Sequence, residues 1–156
     1  MVRELIDELR DDRAFLENVR HWQTIPAGEG TYAEIPGQVD PRIVSALQRR
    51  GIERLYQHQS LAISHAFDGK NVVVVTPTAS GKTLSYNLPV LDGILKDPDT
   101  RALYLFPTKA LSQDQQAELN MTLEDGGLEI SVMTFDGDTP PAVRGAARTR
   151  GQIIIS

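Results

Sequence analysis

The sequence predicts an α/β fold in which a mostly parallel sheet has helices on both faces. Short apolar stretches rich in β-branched residues alternate with helical patterns along the second half of the chain. Strands buried on both faces have this composition, and strand–helix alternation is typical of parallel connections. The predicted strands are 71–76, 101–107, 128–135 and 152–156.

The bulk composition is that of an ordinary globular domain. The 156 residues are 40% hydrophobic and 24% charged, with a net charge of −5 and no cysteine. The acidic balance argues against a domain that attracts nucleic acid over its whole surface, so any such contact has to be local. The missing cysteines exclude disulfides and thiolate metal sites, and they are compatible with the cytoplasmic location that we expect.

Residues 1–50 are predicted to form a helical N-terminal segment with a connector. Apolar residues recur at helical spacing between Arg3 and His21, which predicts one helix with a solvated charged face. The connector 24–41 contains three prolines and three glycines and is expected to be irregular. A second helix should begin at Pro41, capped by Asp40, and end before Gly51.

Residues 51–156 are predicted to form the main α/β part of the chain. A helix is expected from Gln57 to Phe67, and Pro89 should kink or break a later one. Because ligands bind beyond the carboxyl ends of parallel strands, the loops at Thr76, Pro107 and Phe135 should share one rim. The remaining predicted helices are 82–95, 109–124 and 140–150.

The stretch "TPTASGKT" at 76–83 fits the phosphate-binding pattern G-x-x-x-x-G-K-S/T, with Thr76 replacing the first glycine. Small residues would let backbone N–H groups turn towards phosphate, and Gly81 would allow close approach. Lys82 would supply a positive charge, and Thr83 could ligate Mg²⁺. The alternative is an ordinary strand-to-helix turn, which the flanking strand and helix patterns make less attractive.

The loop and three further stretches together resemble superfamily-two helicases of the DEAD/DEAH-box group. In that group's first motif, the first glycine of the pattern is often replaced by another residue. "LYQHQ" (55–59) resembles the Q motif, "FPTKALSQDQ" (106–115) resembles motif Ia, and "TFDGDTP" (134–140) resembles the Gly-Asp-Thr segment. Taken together, these stretches look most like bacterial and fungal DNA-repair helicases of the RecQ4 type.

The resemblance implies a RecA-like P-loop domain that binds ATP and Mg²⁺. It assigns the adenine edge to Gln59, with Tyr56 nearby, and Lys82 and Thr83 to catalysis, with Thr83 as the metal ligand. The expected nucleotide-binding residues are Tyr56, Gln59, Pro77, Thr78, Ala79, Ser80, Gly81, Lys82, Thr83 and Leu84.

The resemblance also implies a track for single-stranded nucleic acid, with DNA expected. Strand ends and helix N-termini suit phosphate contacts, although ordinary capped turns would have the same sequence features. The expected track residues are Pro107, Thr108, Lys109, Gln115, Gly137, Asp138 and Thr139. Arg144, Arg148 and Arg150 are expected to form the exposed side of a helix.

The family's acidic motif, D-E-x-D/H after a strand, is missing from these 156 residues. We therefore expect an incomplete domain, the N-terminal part of a 3′-to-5′ DNA helicase, with little turnover of its own. The second RecA-like domain of the same chain would be required for activity. Alternatives are an RNA helicase, another P-loop enzyme such as a kinase or GTPase, or a non-catalytic module that binds nucleic acid or a partner.

Overall fold

The computed structural model describes residues 2–26, 28, 30–77 and 80–156, and contacts between residues divide the chain after Gly30. By packing, residues 31–50 belong to the second of these units. The functional boundary expected after residue 50 stays a prediction. Of the described residues, no helix is both long and apolar enough to cross a bilayer.

The N-terminal unit contains two short helices where the sequence predicts one. Helix α1 spans Val2–Asp11 and helix α2 spans Arg13–Leu16. Asp12 separates them, because its side chain accepts a hydrogen bond from the Phe15 backbone N–H at 3.1 Å and caps a new helix. Such local side-chain bonds compete with helix continuation, so the prediction of a single helix from 3 to 21 is wrong.

The second unit begins with a small antiparallel pair. Strand β1 (Tyr32–Ala33) pairs with strand β2 (Leu55–Tyr56), with Tyr32 opposite Tyr56. Helix α3 (Pro41–Arg49) lies between them in sequence, and helix α4 (Gln57–Phe67) follows β2 directly. The pair therefore holds part of the irregular connector against the start of α4.

Helix α5 spans Thr83–Lys96 and continues through Pro89. Of the two outcomes expected at this proline, the break is wrong, and the kink stays a prediction. An interior proline costs about 3 kcal/mol through a lost hydrogen bond and a clash. Packing offsets this cost, because Leu88 and Leu91 on either side of the proline are fully buried.

The three-stranded sheet is parallel, as predicted. It contains β3 (Ala102–Tyr104), β4 (Val132–Thr134) and β5 (Ile153–Ile155), in the order β3-β5-β4. Helix α6 (Lys109–Gly126) connects β3 to β4, and helix α7 (Pro141–Arg150) connects β4 to β5. Parallel pairing brings the carboxyl ends of these strands to one edge, where the loops at Pro107 and Phe135 lie.

The predicted strand at 71–76 does not form. No part of this segment is assigned to a strand, and its backbone pairs with no other described residue in a sheet. Val73 and Val75 are 87% and 88% exposed. A preference for strands depends on packing against neighbours, and β-branched residues alone cannot provide a partner.

One hydrophobic core joins helices α3 to α6 with the parallel sheet. Ile43 and Leu47 of α3 share it with Leu91 of α5 and Ile153 of β5. The side chains that are almost inaccessible to solvent are Ile43, Leu47, Leu55, Ile63, Leu88, Leu91, Ile94, Leu119, Ile153 and Ile155. This core fixes the start of α5 relative to the sheet, and the candidate site lies at that start.

A buried carboxylate ties α5 to the start of α3. Asp92 is 2% exposed, accepts a hydrogen bond from the Asp40 backbone N–H at 2.9 Å and pairs with Lys96 Nζ at 2.6 Å. Asp40 in turn caps α3, since its Oδ1 accepts from Arg42 N at 2.8 Å. Hydrogen bonds from Arg42 lower the pKa of Asp40 to about 2.

Replacing Asp40 by alanine should lower the free energy of unfolding by about 1 kcal/mol at neutral pH, the usual value of such a cap. The folded-state pKa of Asp40 lies below its ordinary value of 3.8. Its contribution is therefore complete above that value and is lost as the pH falls through about 2. Chemical denaturation from pH 7 downwards measures this, with Asp40→Asn as the control that keeps a capping oxygen. If the difference in free energy of unfolding between wild type and Asp40→Ala stayed constant down to pH 2.5, the lowered pKa of Asp40 would be contradicted.

Candidate nucleotide site

The loop before α5 turns sharply at Gly81. Gly81 has φ +74°, a left-handed conformation that residues with a side chain rarely adopt. The hydroxyls of Thr76 and Ser80 lie 2.5 Å apart and close the base of the loop. Thr78 and Ala79, two of the predicted nucleotide-binding residues, lie outside the described residues.

The Lys82 ammonium group lies among oxygen atoms of its own loop. It donates to Thr76 O at 2.9 Å, Thr76 Oγ1 at 3.1 Å, Pro77 O at 2.7 Å and Ser80 Oγ at 3.2 Å. These atoms are neutral dipoles, which stabilise a cation less than an anion does. The geometry therefore keeps a positive charge at the loop, and an entering anion would replace these contacts with stronger ones.

Gln59 connects α4 to the loop. Its side chain is 3% exposed, its Nε2 donates to Gly81 O at 2.6 Å, and its Oε1 accepts from the Tyr56 backbone N–H at 2.8 Å. A primary amide has two N–H donors and two acceptor lone pairs. One donor and one lone pair therefore remain after both internal bonds are made.

Aromatic rings form one wall beside Gln59. Tyr32 and Tyr56 stack at 5.0 Å between centroids, and His58 also stacks with Tyr56, at 5.7 Å. A hydrogen bond with Tyr56 raises the pKa of the Tyr32 phenol. Arg54 places its guanidinium 5.7 Å from the Tyr32 ring and pairs with Glu34 at 3.5 Å.

Sequence reasoning missed Tyr32 and Arg54. Tyr32 lies in the connector rich in proline and glycine, far from Gln59 in the chain, and reaches the site only through the pairing of β1 with β2. The only signal was one tyrosine in a connector rich in proline and glycine, which is too common to single out.

A cavity of about 820 Å³ opens between these groups. Its walls come from β1, from the segment between α3 and α4, and from the loop at the start of α5. Gln59 of α4 and Glu118 of α6 complete the lining. Seven of the predicted nucleotide-binding residues line it: Tyr56, Gln59, Ser80, Gly81, Lys82, Thr83 and Leu84. The volume suits a ligand of nucleotide size.

Thr83, the predicted metal ligand, donates its hydroxyl hydrogen to Gln115 Oε1 at 3.1 Å. The Tyr86 hydroxyl donates to the same oxygen at 2.7 Å. Gln115, which the resemblance assigns to nucleic acid, therefore joins α5 to α6 in this structure. Within the described ranges, no three His, Cys, Asp or Glu side chains are grouped to hold a metal ion by themselves.

The other predicted track residues meet at the carboxyl edge of the sheet. Lys109 at the start of α6 forms an ion pair with Asp138, and this contact raises the pKa of Lys109. Thr108 caps α6, with its hydroxyl accepting from Leu111 N at 3.3 Å. Pro107 and Gly137 are exposed in the same two loops. The two loops are therefore joined by a surface ion pair of modest strength.

Arg144 has a different role from the one expected. Its guanidinium donates to Thr139 O at 2.8 Å, Asp136 O at 3.1 Å and Gly137 O at 3.0 Å. The prediction that it belongs to the exposed side of a helix is wrong, because Arg144 is half-buried and its guanidinium folds back onto the turn before the helix. Thr139 is also buried, and it exchanges hydrogen bonds with Asp136 that lower the pKa of that carboxyl.

A comparison with protein families identifies this arrangement. The DEAD/DEAH box helicase model matches residues 56–156, from the aromatic wall to the last strand. The chain belongs to the DEAD/DEAH box helicases.

Relatives of this DEAD/DEAH box chain agree with the match. It is 48% identical to "Uncharacterized ATP-dependent helicase YprA" of Bacillus subtilis over 100% of this chain and 21% of that protein. It is 33% identical to "ATP-dependent helicase HRQ1" of Saccharomyces cerevisiae, over 99% of this chain and 14% of that protein. The chain thus spans about a fifth or less of the length of these curated relatives.

A solved structure supports the RecA-like fold of the DEAD/DEAH box chain. The crystal structure of the DUF1998 helicase MrfA bound to DNA and AMPPNP superimposes with a TM-score of 0.82 at 48% identity. The match covers 98% of this chain and 21% of that one. The parallel sheet and its crossover helices are therefore part of a RecA-like domain, as the sequence predicts.

Adding a side chain at Gly81 should disturb Gln59. A Cβ at this position would lie 2.7 Å from Gln59 Nε2, in addition to the strain of φ +74°. Gly81→Ala should therefore cost more than the roughly 1–2 kcal/mol expected for left-handed backbone alone. In the double variant with Gln59→Ala the excess cost should disappear, and urea unfolding of the four proteins in this cycle measures the coupling.

Gly51 supplies the matched control. It has φ +75° and no atom within 4 Å of an added Cβ. Gly51→Ala should carry the backbone strain but show no coupling to Gln59→Ala. Equal coupling at the two glycines would show that the Gln59 contact does not constrain the loop.

Proposed function

We propose that this chain is the ATP-binding part of an ATP-dependent DNA helicase. The observation that carries the proposal is the hydrogen bond from Gln59 to Gly81, which joins a base-reading amide to a phosphate-binding loop beside a cavity of nucleotide size. The family match and the relatives named as ATP-dependent helicases support the same assignment.

Gln59 is the proposed reader of adenine. Its remaining N–H can donate to N7 of the base, and its remaining lone pair can accept from the exocyclic amine. Guanine carries an acceptor where adenine carries that amine, so the same pair of contacts disfavours it. Tyr32 and Tyr56 offer an aromatic face beside this edge, on which a base can stack.

Lys82 and the N-terminus of α5 are the proposed phosphate binders, and Pro77, Thr78, Ala79 and Ser80 complete the loop. Thr83 suits a metal ligand, because donating its hydrogen to Gln115 leaves its oxygen lone pairs available. Magnesium, when bound, neutralises charge on the β- and γ-phosphates.

The proposed substrate track runs over Lys109, Thr108 and the loop with Gly137 and Asp138. DNA is favoured over RNA because the MrfA relative is described as bound to DNA, and 3′-to-5′ is the direction that the resemblance implies. An RNA helicase remains the first alternative. This piece alone should turn over little ATP, since catalysis in the family needs an acidic motif and an arginine finger from elsewhere in the parent chain.

Replacing Lys82 by alanine should weaken ATP binding roughly ten- to a hundredfold, because a charge-assisted hydrogen bond contributes about 1.5–3 kcal/mol. Titration with a fluorescent ATP analogue measures the affinity. Lys70→Ala is the matched control: it removes the same charge from a lysine that pairs with Asp68 on the surface.

Equal ATP affinity in wild type and Lys82→Ala would sink the phosphate assignment. A competition between ATP and GTP separates the adenine reader from another P-loop enzyme, since a GTPase would prefer GTP. Binding of DNA without any nucleotide affinity would instead favour the non-catalytic module.

Replacing Lys109 by alanine should weaken binding to single-stranded DNA. The slope of log affinity against log salt should fall by about 0.7, the value for one phosphate contact on a single strand. Asp138→Asn should strengthen binding, because it frees the Lys109 ammonium from its ion pair. Fluorescence anisotropy from 50 to roughly 200 mM salt measures both effects.

The Lys70→Ala variant again controls for net charge. If it lowers the salt slope as much as Lys109→Ala does, the loops at the sheet edge are not the track. Running the same oligonucleotide sequence as RNA tests the alternative substrate directly.

A further inference from the structure

The side chain of Gln115 joins two parts of the molecule that the proposed function keeps apart. It lies in the second turn of α6, and its Oε1 accepts from Thr83 Oγ1 at 3.1 Å and from Tyr86 Oη at 2.7 Å. Thr83 begins α5 at the nucleotide loop, whereas the first turn of α6 carries Lys109 and its ion pair with Asp138.

We propose that Gln115 is a positioning residue that orients the Thr83 hydroxyl towards a magnesium ion and links that site to the nucleic-acid track. The inference rests on the proposed function, because it needs a metal–nucleotide complex at Thr83. It replaces the direct nucleic-acid contact that the resemblance assigns to Gln115.

The chemistry of the hydroxyl supports this role. A threonine hydroxyl rotates freely unless its hydrogen has a fixed acceptor, and its lone pairs then have no fixed direction. Gln115 Oε1 has no hydrogen to donate, so Thr83 must be the donor in this contact. The hydroxyl lone pairs are then directed away from Gln115 and remain available to a hard cation such as Mg²⁺.

Tyr86 keeps Gln115 in place. Its phenol donates to Gln115 Oε1 at 2.7 Å, and a tyrosine hydroxyl is a hydrogen-bond donor at neutral pH. Its ring packs edge-on against Tyr104 of β3 at 5.2 Å, and Tyr104 packs edge-on against Phe106 at 6.3 Å. Gln115 is thereby anchored to the same strand end that leads into the track.

Helix α6 provides the mechanical link. Gln115 follows Lys109 by six positions, which corresponds to about 9 Å along a helix. When metal binding shifts Thr83, its acceptor Gln115 shifts with it. Because Gln115 and Lys109 lie on the same helix, the shift reaches Lys109 as well. The link predicts a coupling free energy between magnesium–nucleotide and single-stranded DNA, which must be the same in both directions.

The deciding experiment measures ATP-analogue affinity over a range of Mg²⁺ concentrations and in EDTA. Gln115→Leu removes the acceptor at similar size and should weaken the apparent Mg²⁺ affinity about tenfold, as outer-shell changes do, with affinity in EDTA unchanged. Gln115→Glu keeps an acceptor oxygen, so its magnesium dependence should be closer to that of the wild type than to that of Gln115→Leu. Gln113→Leu, an exposed glutamine in the same helix, is the matched control.

A second variant separates positioning from packing. Tyr86→Phe removes the shorter bond to Gln115 and leaves the Thr83 contact. If Gln115 only packs α5 against α6, then Gln115→Leu and Tyr86→Phe should both lower the urea midpoint and neither should alter the magnesium dependence. Under the proposal, both variants weaken the magnesium dependence, and Gln115→Leu does so more strongly because it also removes the Thr83 contact.

The DNA measurement completes the test. In the wild type, adding the magnesium–ATP analogue should change the affinity for single-stranded DNA. In Gln115→Leu this change in affinity should be smaller, whereas the DNA affinity measured without nucleotide should equal that of the wild type. A loss of nucleotide-free DNA binding in Gln115→Leu would identify a direct contact and overturn the proposal. Magnesium dependence equal to wild type would also overturn it, whereas a wild type that binds no ATP would overturn the proposed function itself.

Discussion

The candidate site depends on the hydrogen bond from Gln59 Nε2 to Gly81 O. A glycine at 81 leaves room for it, because an added Cβ would lie 2.7 Å from the same nitrogen and one of the two would have to shift. The bond links the first turn of α4 to the turn before α5, and the shared core of these helices keeps it in register. A buried amide loses 1–3 kcal/mol when it lacks a partner, so the loop and Gln59 constrain each other. Tyr56, whose N–H donates to the same amide, and Lys82, which follows Gly81, lie next to this junction.

Electrostatics in this chain act locally. The net charge of −5 gives no reason to expect an anionic ligand, yet Lys82 and Lys109 both lie where strands or loops lead into helix N-termini. Each is held by oxygen atoms of the protein, neutral ones around Lys82 and the Asp138 carboxylate beside Lys109. A phosphate entering either place therefore competes with internal contacts, which makes affinity sensitive to single neutral substitutions nearby. Arg144, by contrast, uses its charge to hold a turn.

Much of the fold was predictable, and two of the failures share a cause. The caps at Asp40 and Gly51 mark α3 correctly, and α4 spans the predicted residues, because such signals act within one turn. The predicted strand at 71–76 was wrong because strand formation needs a partner, and its valines find none among the described residues. Tyr32 was missed because a strand pairing with a distant segment, β2, brings it to the cavity, and such a partner cannot be recognised from the local sequence. Helix signals are local, whereas sheet contacts are not.

The sequence by itself determined the family, the order of helices α3 to α7 with the three parallel strands, and the residues of the candidate phosphate loop. Those features follow from side-chain type at fixed spacing. Only the tertiary structure decided which atoms those residues meet: that Gln59 bonds Gly81, that Thr83 donates to Gln115, and that Arg144 folds back on its own turn. The physical reason is that hydrogen bonds are directional over about 3 Å, so their partners depend on how helices pack, which spacing along the chain does not record.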